Sequence, residues 1–417
     1  MVKTGNFRWR IVALLFFATT INYIDRQIIG ILKPYISDDL GWSEADYGYI
    51  VTAFQIAYAI GLITTGRILD KFGTRIGYLW AIIVWSIAAM AHAAARGVVS
   101  FAAARFALGL GEAANFPAAV KTVAEWFPKK ERAFATGLFN SGSTVGAIVA
   151  PVIVSGITIA FGWQWAFIIT GALGFIWIIF WLAYYRIPEK HPKVSEEELQ
   201  YIIQDKENYG FGNKIRWAQL FKYRQTYAIC GTRFISDWVW WFFLFWIPDF
   251  LSKTHDINLR EVVLPLIVIY TVSSVGGIGG GWISSKFIKM GKSIDFARKT
   301  TILICAITVM PVMLVSKTPS LWLAVAFISM AAAAHQGWAS NIFTIVSDIY
   351  PKQAVGTMTG LSGFAGAVGG ALSASFVGLL LESTGSYFLI FLLAASVYLV
   401  NWGIIKIFIK EIKPIEI

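Results

Sequence analysis

Asp25, Arg26, Arg105, Glu112 and Asp237 are ionisable side chains set inside apolar stretches: the first two within 11–36, the next two within 98–120 and the last within 226–251. An ionised side chain at the centre of a membrane-embedded helix costs about 2.5–3.5 kcal/mol on insertion scales, so each should face the protein interior or a water-filled cavity. Their types define the chemistry open to them. A guanidinium is a planar, permanently charged fork that grips a carboxylate with two parallel hydrogen bonds, and Arg26 is the first candidate for that role. A carboxyl group in such a place can load and release a proton as burial and neighbouring charge change, which suits Asp25 and Glu112. Arg105 and Glu112 are seven residues apart, two turns along one helix face, so both can look into the same cavity. Asp25 and Arg26 point about 100° apart, so one can face a ligand while the other faces a neighbouring span. The same charges could instead pair only to satisfy their burial, and for Asp237, beside Trp238, cavity lining and solvation at a helix end are equally open.

A ligand rich in hydroxyls would also need neutral donors, acceptors and an aromatic face. Tyr23, Tyr58, Ser143, Trp338, Asn341 and Ser362 are the candidate lining, with Trp338 and Asn341 one helical turn apart. Each could equally be an interface aromatic or a polar residue that packs two helices together. No His-Glu-x-x-His pair, phosphate loop or serine nucleophile elbow occurs, and Gly109-Leu110-Gly111 lies in an apolar stretch with no strand before it, so an enzyme is not expected. Cys230 and Cys305 sit in or beside apolar stretches, which favours packing over a disulfide or a metal site. The expected co-reactant is a proton, with no cofactor and no metal.

The elements that must position these groups follow from composition. The chain is 57% hydrophobic and only 14% charged, against about 25% charged for globular proteins, too few to solvate a water-facing surface. Stretches long enough to span a bilayer are expected at 11–36, 46–69, 76–95, 98–120, 133–160 and 163–185, then at 226–251, 261–284, 299–316, 320–346, 355–381 and 386–409. The fold class is therefore an all-α membrane protein of twelve helices in two six-helix bundles, 1–186 and 226–417, joined by a polar linker, 187–225. The first stretch is too long and too charged for a cleaved signal sequence. In the linker, Ser195 with Glu198 fits a capping box opening a short solvated helix that ends near Gly210.

The net charge of +11 comes from short Lys and Arg clusters between spans, among them Arg67, Lys71 and Arg75, Lys129, Lys130 and Arg132, and Lys286 to Lys299. That pattern faces anionic lipid rather than nucleic acid and places both termini and the linker in the cytoplasm. The partners expected are the bilayer and a small anion, the location an inner membrane, and the state a monomer.

Glu125-Trp126-Phe127-Pro128-Lys129 is echoed by Asp348-Ile349-Tyr350-Pro351-Lys352, 223 positions on, and Thr136-Gly137-Leu138 with Gly146 recurs at that offset as Thr359-Gly360-Leu361 with Gly369. Two halves repeated in parallel imply a site where they meet. Glu112 corresponds at this offset to His335, so proton handling should belong mainly to the first half.

Gly66-Arg67-Ile68-Leu69-Asp70-Lys71-Phe72-Gly73-Thr74-Arg75 resembles the loop motif of the major facilitator superfamily, in which glycines allow close helix approach and the Asp and Arg form a cytoplasmic charge lock. Gly66, Asp70, Gly73 and Arg75 are its gating positions here. A narrower resemblance rests on Asn22-Tyr23-Ile24-Asp25-Arg26, on Arg105 with Gly109 to Ala113, and on Glu125-Trp126-Phe127-Pro128. These are similar to the anion:cation symporter family of hexuronate and galactonate carriers, and Phe139 to Ser143 with Ala334-His335-Gln336 tilts the match toward hexuronate members. The resemblance implies proton-coupled uptake of a monocarboxylate sugar acid by alternating access, with Asp25 and Glu112 as proton carriers. Hexuronate carriers can lack the Asp found here at position 25, whereas galactonate carriers have it, so an aldonate stays open as the substrate.

Overall fold

The computed structural model describes residues 5–204 and 217–415. Among these residues the chain forms α-helices and short 3-10 turns and no strand. The first group of spans comprises α1 (Phe7–Leu40), α2 (Glu44–Ala91), α3 (Val98–Glu112), α4 (Asn115–Trp126), α5 (Lys129–Phe161) and α6 (Trp163–Tyr184). α2 supplies two spans, Glu44–Leu69 and Lys71–Ala94, and at the start of the second the chain kinks at Gly73, which adopts φ 77°, a conformation glycine enters without a Cβ penalty. The linker carries α7 (Glu196–Ile203) and α8 (Trp217–Leu220). The second group comprises α9 (Arg224–Phe245) with α10 (Ile247–His255), then α11 (Val263–Lys289), α12 (Ile294–Val309), α13 (Leu321–Ile349), α14 (Lys352–Thr384) and α15 (Phe388–Phe408).

Among the described residues nine helices are long and apolar enough to cross a membrane, and the α9–α10 pair, bent by 53°, makes a tenth. The two further expected spans are those that carry the buried charge of the first half. α1 is 34 residues long but contains Arg8, Arg10, Asp25, Arg26 and Lys33. The span expected at 98–120 breaks at Ala113 and Ala114 into α3 and α4. Pro117 explains the break, since it lacks the N–H that would reach the Ala113 carbonyl, and it is tolerated in the first turn of α4.

Close helix contacts are made by glycines. On α5, a Cβ added at Gly142 would meet the Phe16 carbonyl of α1, and one at Gly146 would stand 2.6 Å from the Thr20 carbonyl. On α14, a Cβ at Gly369 would fall on the Phe234 carbonyl of α9. Gly146 and Gly369 are the repeat-related pair, so the sequence repeat is also a repeat of backbone-to-backbone packing. α11 and α13 cross in the same way: added carbons at Gly276 and Gly280 would collide with the backbones of Ala333 and Gly337. Without water between spans, such close van der Waals packing is what holds helices together. Gly280→Ala is therefore expected to destabilise the purified protein by about 1–3 kcal/mol through overpacking. Gly279→Ala, where a Cβ meets nothing within 4 Å, should be neutral or slightly stabilising. Thermal unfolding of the two variants side by side checks this, and equal melting temperatures would show that the crossing has slack.

The linker helix is not simply solvated. Ser195 Oγ accepts from Glu198 N at 3.2 Å as a capping residue should. The Glu198 carboxylate, however, does not turn back on its own helix. It accepts from the backbone N–H groups of Phe7 and Arg8, both at 3.1 Å, and from the Arg8 guanidinium at 3.2 Å, so it caps the N-terminus of α1. Arg8 also donates to Glu131 at 2.9 Å, as does Tyr201 at 2.7 Å. His191 packs 4.3 Å from Phe7. Its Nδ1 accepts from Lys193 N, which places the proton on Nε2 against the Tyr184 carbonyl. Burial holds this ring below the ordinary imidazole range, in keeping with a neutral tautomer. The expected end of the linker helix near Gly210 lies outside the described residues.

By contact density the chain divides into two units, Met1–Ile29 with Ile56–Gly212 and Gly30–Gln55 with Asn213–Ile417.

Candidate functional site

In the first unit the charges converge on Arg26. Its Nε donates to Glu112 Oε2 at 2.8 Å and its Nη2 to Asn22 Oδ1 at 3.2 Å, so residues 86 apart in sequence form one ion pair. The guanidinium carbon lies 4.9 Å from the ring centroid of Tyr23 and 4.8 Å from that of Tyr58. Cation–π contact thus occupies the faces of the guanidinium and leaves its edges to charged partners. The side chains of Arg26 and Glu112 are 3% and 0% exposed. At that depth the pair persists only because each charge compensates the other.

Arg105 is also fully buried, and its Nη2 donates to the Arg26 backbone carbonyl at 3.2 Å. It therefore braces the helix that presents Arg26. Asp25 is buried with neither oxygen hydrogen-bonded among the described residues. The neighbouring Thr170 hydroxyl is donated instead to the Ala166 carbonyl at 2.9 Å. Tyr23, Tyr58, Arg26 and Glu112 are thus brought together, Ser143 stands beside Tyr23, and Asp25 is buried beside Thr170 within electrostatic reach of Glu112 and Arg105.

The other expected lining residues lie in the second unit. Trp338 is buried, edge-on to Tyr398 at 5.5 Å. Asn341 spends its amide N–H groups on the carbonyls of Gly280 and Gly337, which ties it to the α11–α13 crossing. Ser362 is buried and donates to Thr359 O at 3.1 Å. His335 hydrogen-bonds Tyr398 at 2.6 Å and stacks on Trp240 at 5.6 Å. Asp237 pairs with Arg233, 2.6 Å away.

At the loop motif, Gly73 is the break between two helices, and a Cβ at Gly66 would meet nothing within 4 Å. Arg75 donates to the Leu182 carbonyl at 2.9 Å, while the Asp70 side chain lies outside the described residues. Glu125 accepts from Thr74 at 2.7 Å and from the Tyr185 hydroxyl. At the repeat-related position, Asp348 takes a salt bridge from Arg298 at 2.9 Å.

Three buried or half-buried charges were not singled out from the sequence. They are Arg233, Lys33 and Asp249. Lys33 Nζ lies 2.5 Å from Asp249 and 2.6 Å from Glu44, and the Tyr387 hydroxyl donates to Asp249 at 2.6 Å. All three stand inside stretches read as spans, so the criterion that found Asp25 and Glu112 applies to them as well.

A family model described as Major Facilitator Superfamily matches residues 15–374. The chain is 32% identical to a hexuronate transporter of Escherichia coli over 92% of its own length and 90% of the relative's. It is 30% identical to a probable galactarate/D-glucarate transporter of Bacillus subtilis over 92% and 88% of the two chains. Among solved structures it resembles the xylose transporter of Escherichia coli with a TM-score of 0.75 at 13% identity, covering 96% of each chain, a likeness of fold. These relatives are transporters and not enzymes, and the chain is a multi-pass membrane protein of the Major Facilitator Superfamily.

Proposed function

We propose that this protein is a proton-coupled symporter that imports a monocarboxylate sugar acid of the hexuronate class, such as galacturonate or glucuronate, across a bacterial inner membrane. The observation that carries the reading is the Arg26 fork, held by Tyr23 and Tyr58 with its Nε on Glu112 at 2.8 Å. A substrate carboxylate must compete with Glu112 for that fork, and a proton on Glu112 removes the competitor. Anion and proton therefore favour one another's binding, and this reciprocal coupling is what symport needs. Asp25, buried and without a hydrogen bond among the described residues, is the second group able to carry a proton. Ser143, Trp338, Asn341 and Ser362 would contact hydroxyls, and Arg105 would hold the Arg26 backbone in register. The two six-helix halves would alternate access, with both termini and the linker in the cytoplasm. The names of the relatives support a sugar acid as cargo. An aldonate such as galactonate is the second reading, favoured by the acidic residue at position 25.

Uptake of labelled D-galacturonate into proteoliposomes under an inward proton gradient tests the reading. Unlabelled glucuronate should compete, whereas glucose should fail by roughly a hundredfold or more, because it offers Arg26 no carboxylate with which to take the place of Glu112. Equal competition by glucose and glucuronate would exclude an anion site at Arg26.

A further inference from the structure

The second unit holds a charged pair that the mechanism above leaves unused. Arg233 and Asp237 stand four residues apart on one face of α9, near the middle of that helix. Arg233 Nε and Nη2 both donate to the same oxygen, Asp237 Oδ2, at 2.9 and 2.6 Å. This is not the parallel fork on two oxygens that a guanidinium and a carboxylate form when they serve only each other. The two side chains also keep 17% and 20% of their exposure, against 3% and 0% for Arg26 and Glu112. Charges at span depth that are not fully buried belong against a water-filled cavity, since contact with lipid would be costly.

The neighbours give the pair the character of a binding surface. The Phe343 ring of α13 lies 4.7 Å from the guanidinium carbon. Gly366 of α14 packs directly against the Asp237 side chain, where a Cβ would fall on Oδ2, so only a glycine there lets the carboxylate keep its place beside Arg233. Trp240, three residues beyond Asp237, presents a further ring and is itself stacked on His335. Arginine donors, a carboxylate acceptor and aromatic faces together match a polyol, whose hydroxyls donate to the carboxylate and accept from the guanidinium.

We propose that the Arg233–Asp237 pair recognises the hydroxyl-bearing part of the substrate and rejects a second carboxylate there. The proposal rests on the sugar-acid reading. The pair is electrically neutral, so an uncharged polyol segment loses nothing by approaching it. An aldarate, with a carboxylate at each end, would meet Asp237 as a like charge and would have to displace it from Arg233. Asp237 is then the residue that sets preference for monoacids over diacids.

The test compares unlabelled D-galacturonate and D-galactarate as competitors of labelled D-galacturonate uptake in proteoliposomes. Asp237→Asn keeps the side chain's shape and exposes the guanidinium, so the half-inhibitory concentration of galactarate relative to galacturonate should fall at least tenfold. The double variant Arg233→Gln/Asp237→Asn leaves no uncompensated charge and therefore decides the matter even where the single variant does not fold. It should weaken galacturonate competition at least tenfold and give galactarate no advantage. An unchanged competition ratio in folded Asp237→Asn, or wild-type galacturonate affinity in the double variant, overturns the proposal and leaves the Arg26 site standing. A wild-type protein that takes up no labelled D-galacturonate overturns the hexuronate reading on which this proposal rests, and the proposal with it.

Discussion

Arg26→Lys is expected to lower galacturonate uptake by roughly a hundredfold or more, although the substitution keeps the positive charge. Arg26 serves several partners at once: Nε reaches Glu112 at 2.8 Å, Nη2 reaches Asn22 at 3.2 Å, and two tyrosine rings lie within 4.9 Å of the guanidinium carbon. A lysine ammonium is one compact nitrogen on a flexible stem. It can hold Glu112 or a substrate carboxylate, but not both in fixed geometry. Two charge-assisted hydrogen bonds at about 1.5–3 kcal/mol each are at stake, which is the origin of the expected factor. Initial uptake rates on folded, reconstituted protein measure it. A lysine variant with near-normal affinity would remove Arg26 from the substrate site.

Glu112→Gln should separate exchange from accumulation. Glutamine resembles a protonated glutamate in shape and keeps an acceptor for Arg26, but it has no proton to release. If the empty carrier must deprotonate position 112 before it reorients, that return step fails while the loaded step survives. The variant should then exchange internal for external galacturonate at a substantial rate and lose pH-driven accumulation almost completely. The geometry makes the stability cost a matter to be measured alongside. Glu112 is the charge partner of Arg26 itself, both side chains being almost fully buried, and removing one member of such a pair commonly costs about 3–5 kcal/mol. Counterflow and accumulation must therefore be recorded on the same monodisperse preparation. Retained accumulation would move the coupling proton to Asp25, whose carboxylate has no hydrogen bond among the described residues.

Much of the architecture was legible from local patterns. Ten spans announce themselves by apolar length, because a bilayer enforces roughly twenty apolar residues wherever a helix faces lipid. The parallel repeat was legible too, and its physical content is the pair Gly146 and Gly369, each pressed against the backbone of another helix. α1 and the broken α3–α4 span are weaker signals for the same reason that they matter. They spend apolar length on Asp25, Arg26, Arg105 and Glu112.

The pairing of those charges was not legible. Seven-residue spacing places Arg105 and Glu112 on one face, but it does not tell that Glu112 accepts from Arg26 or that Arg105 donates to the Arg26 carbonyl. Spacing reports only which residues share a helix face, whereas pairing depends on the rotation and height of two helices relative to each other. The same limit hid the capping of α1 by Glu198, 190 residues from Arg8, and the assembly of Lys33, Glu44 and Asp249. The sequence by itself thus determined the class of protein and the inventory of charges, since hydropathy and repeats are one-dimensional and survive without coordinates. Only the tertiary structure decided which acid neutralises which base, because a buried charge takes its partner from whatever helix packing brings within about 3 Å.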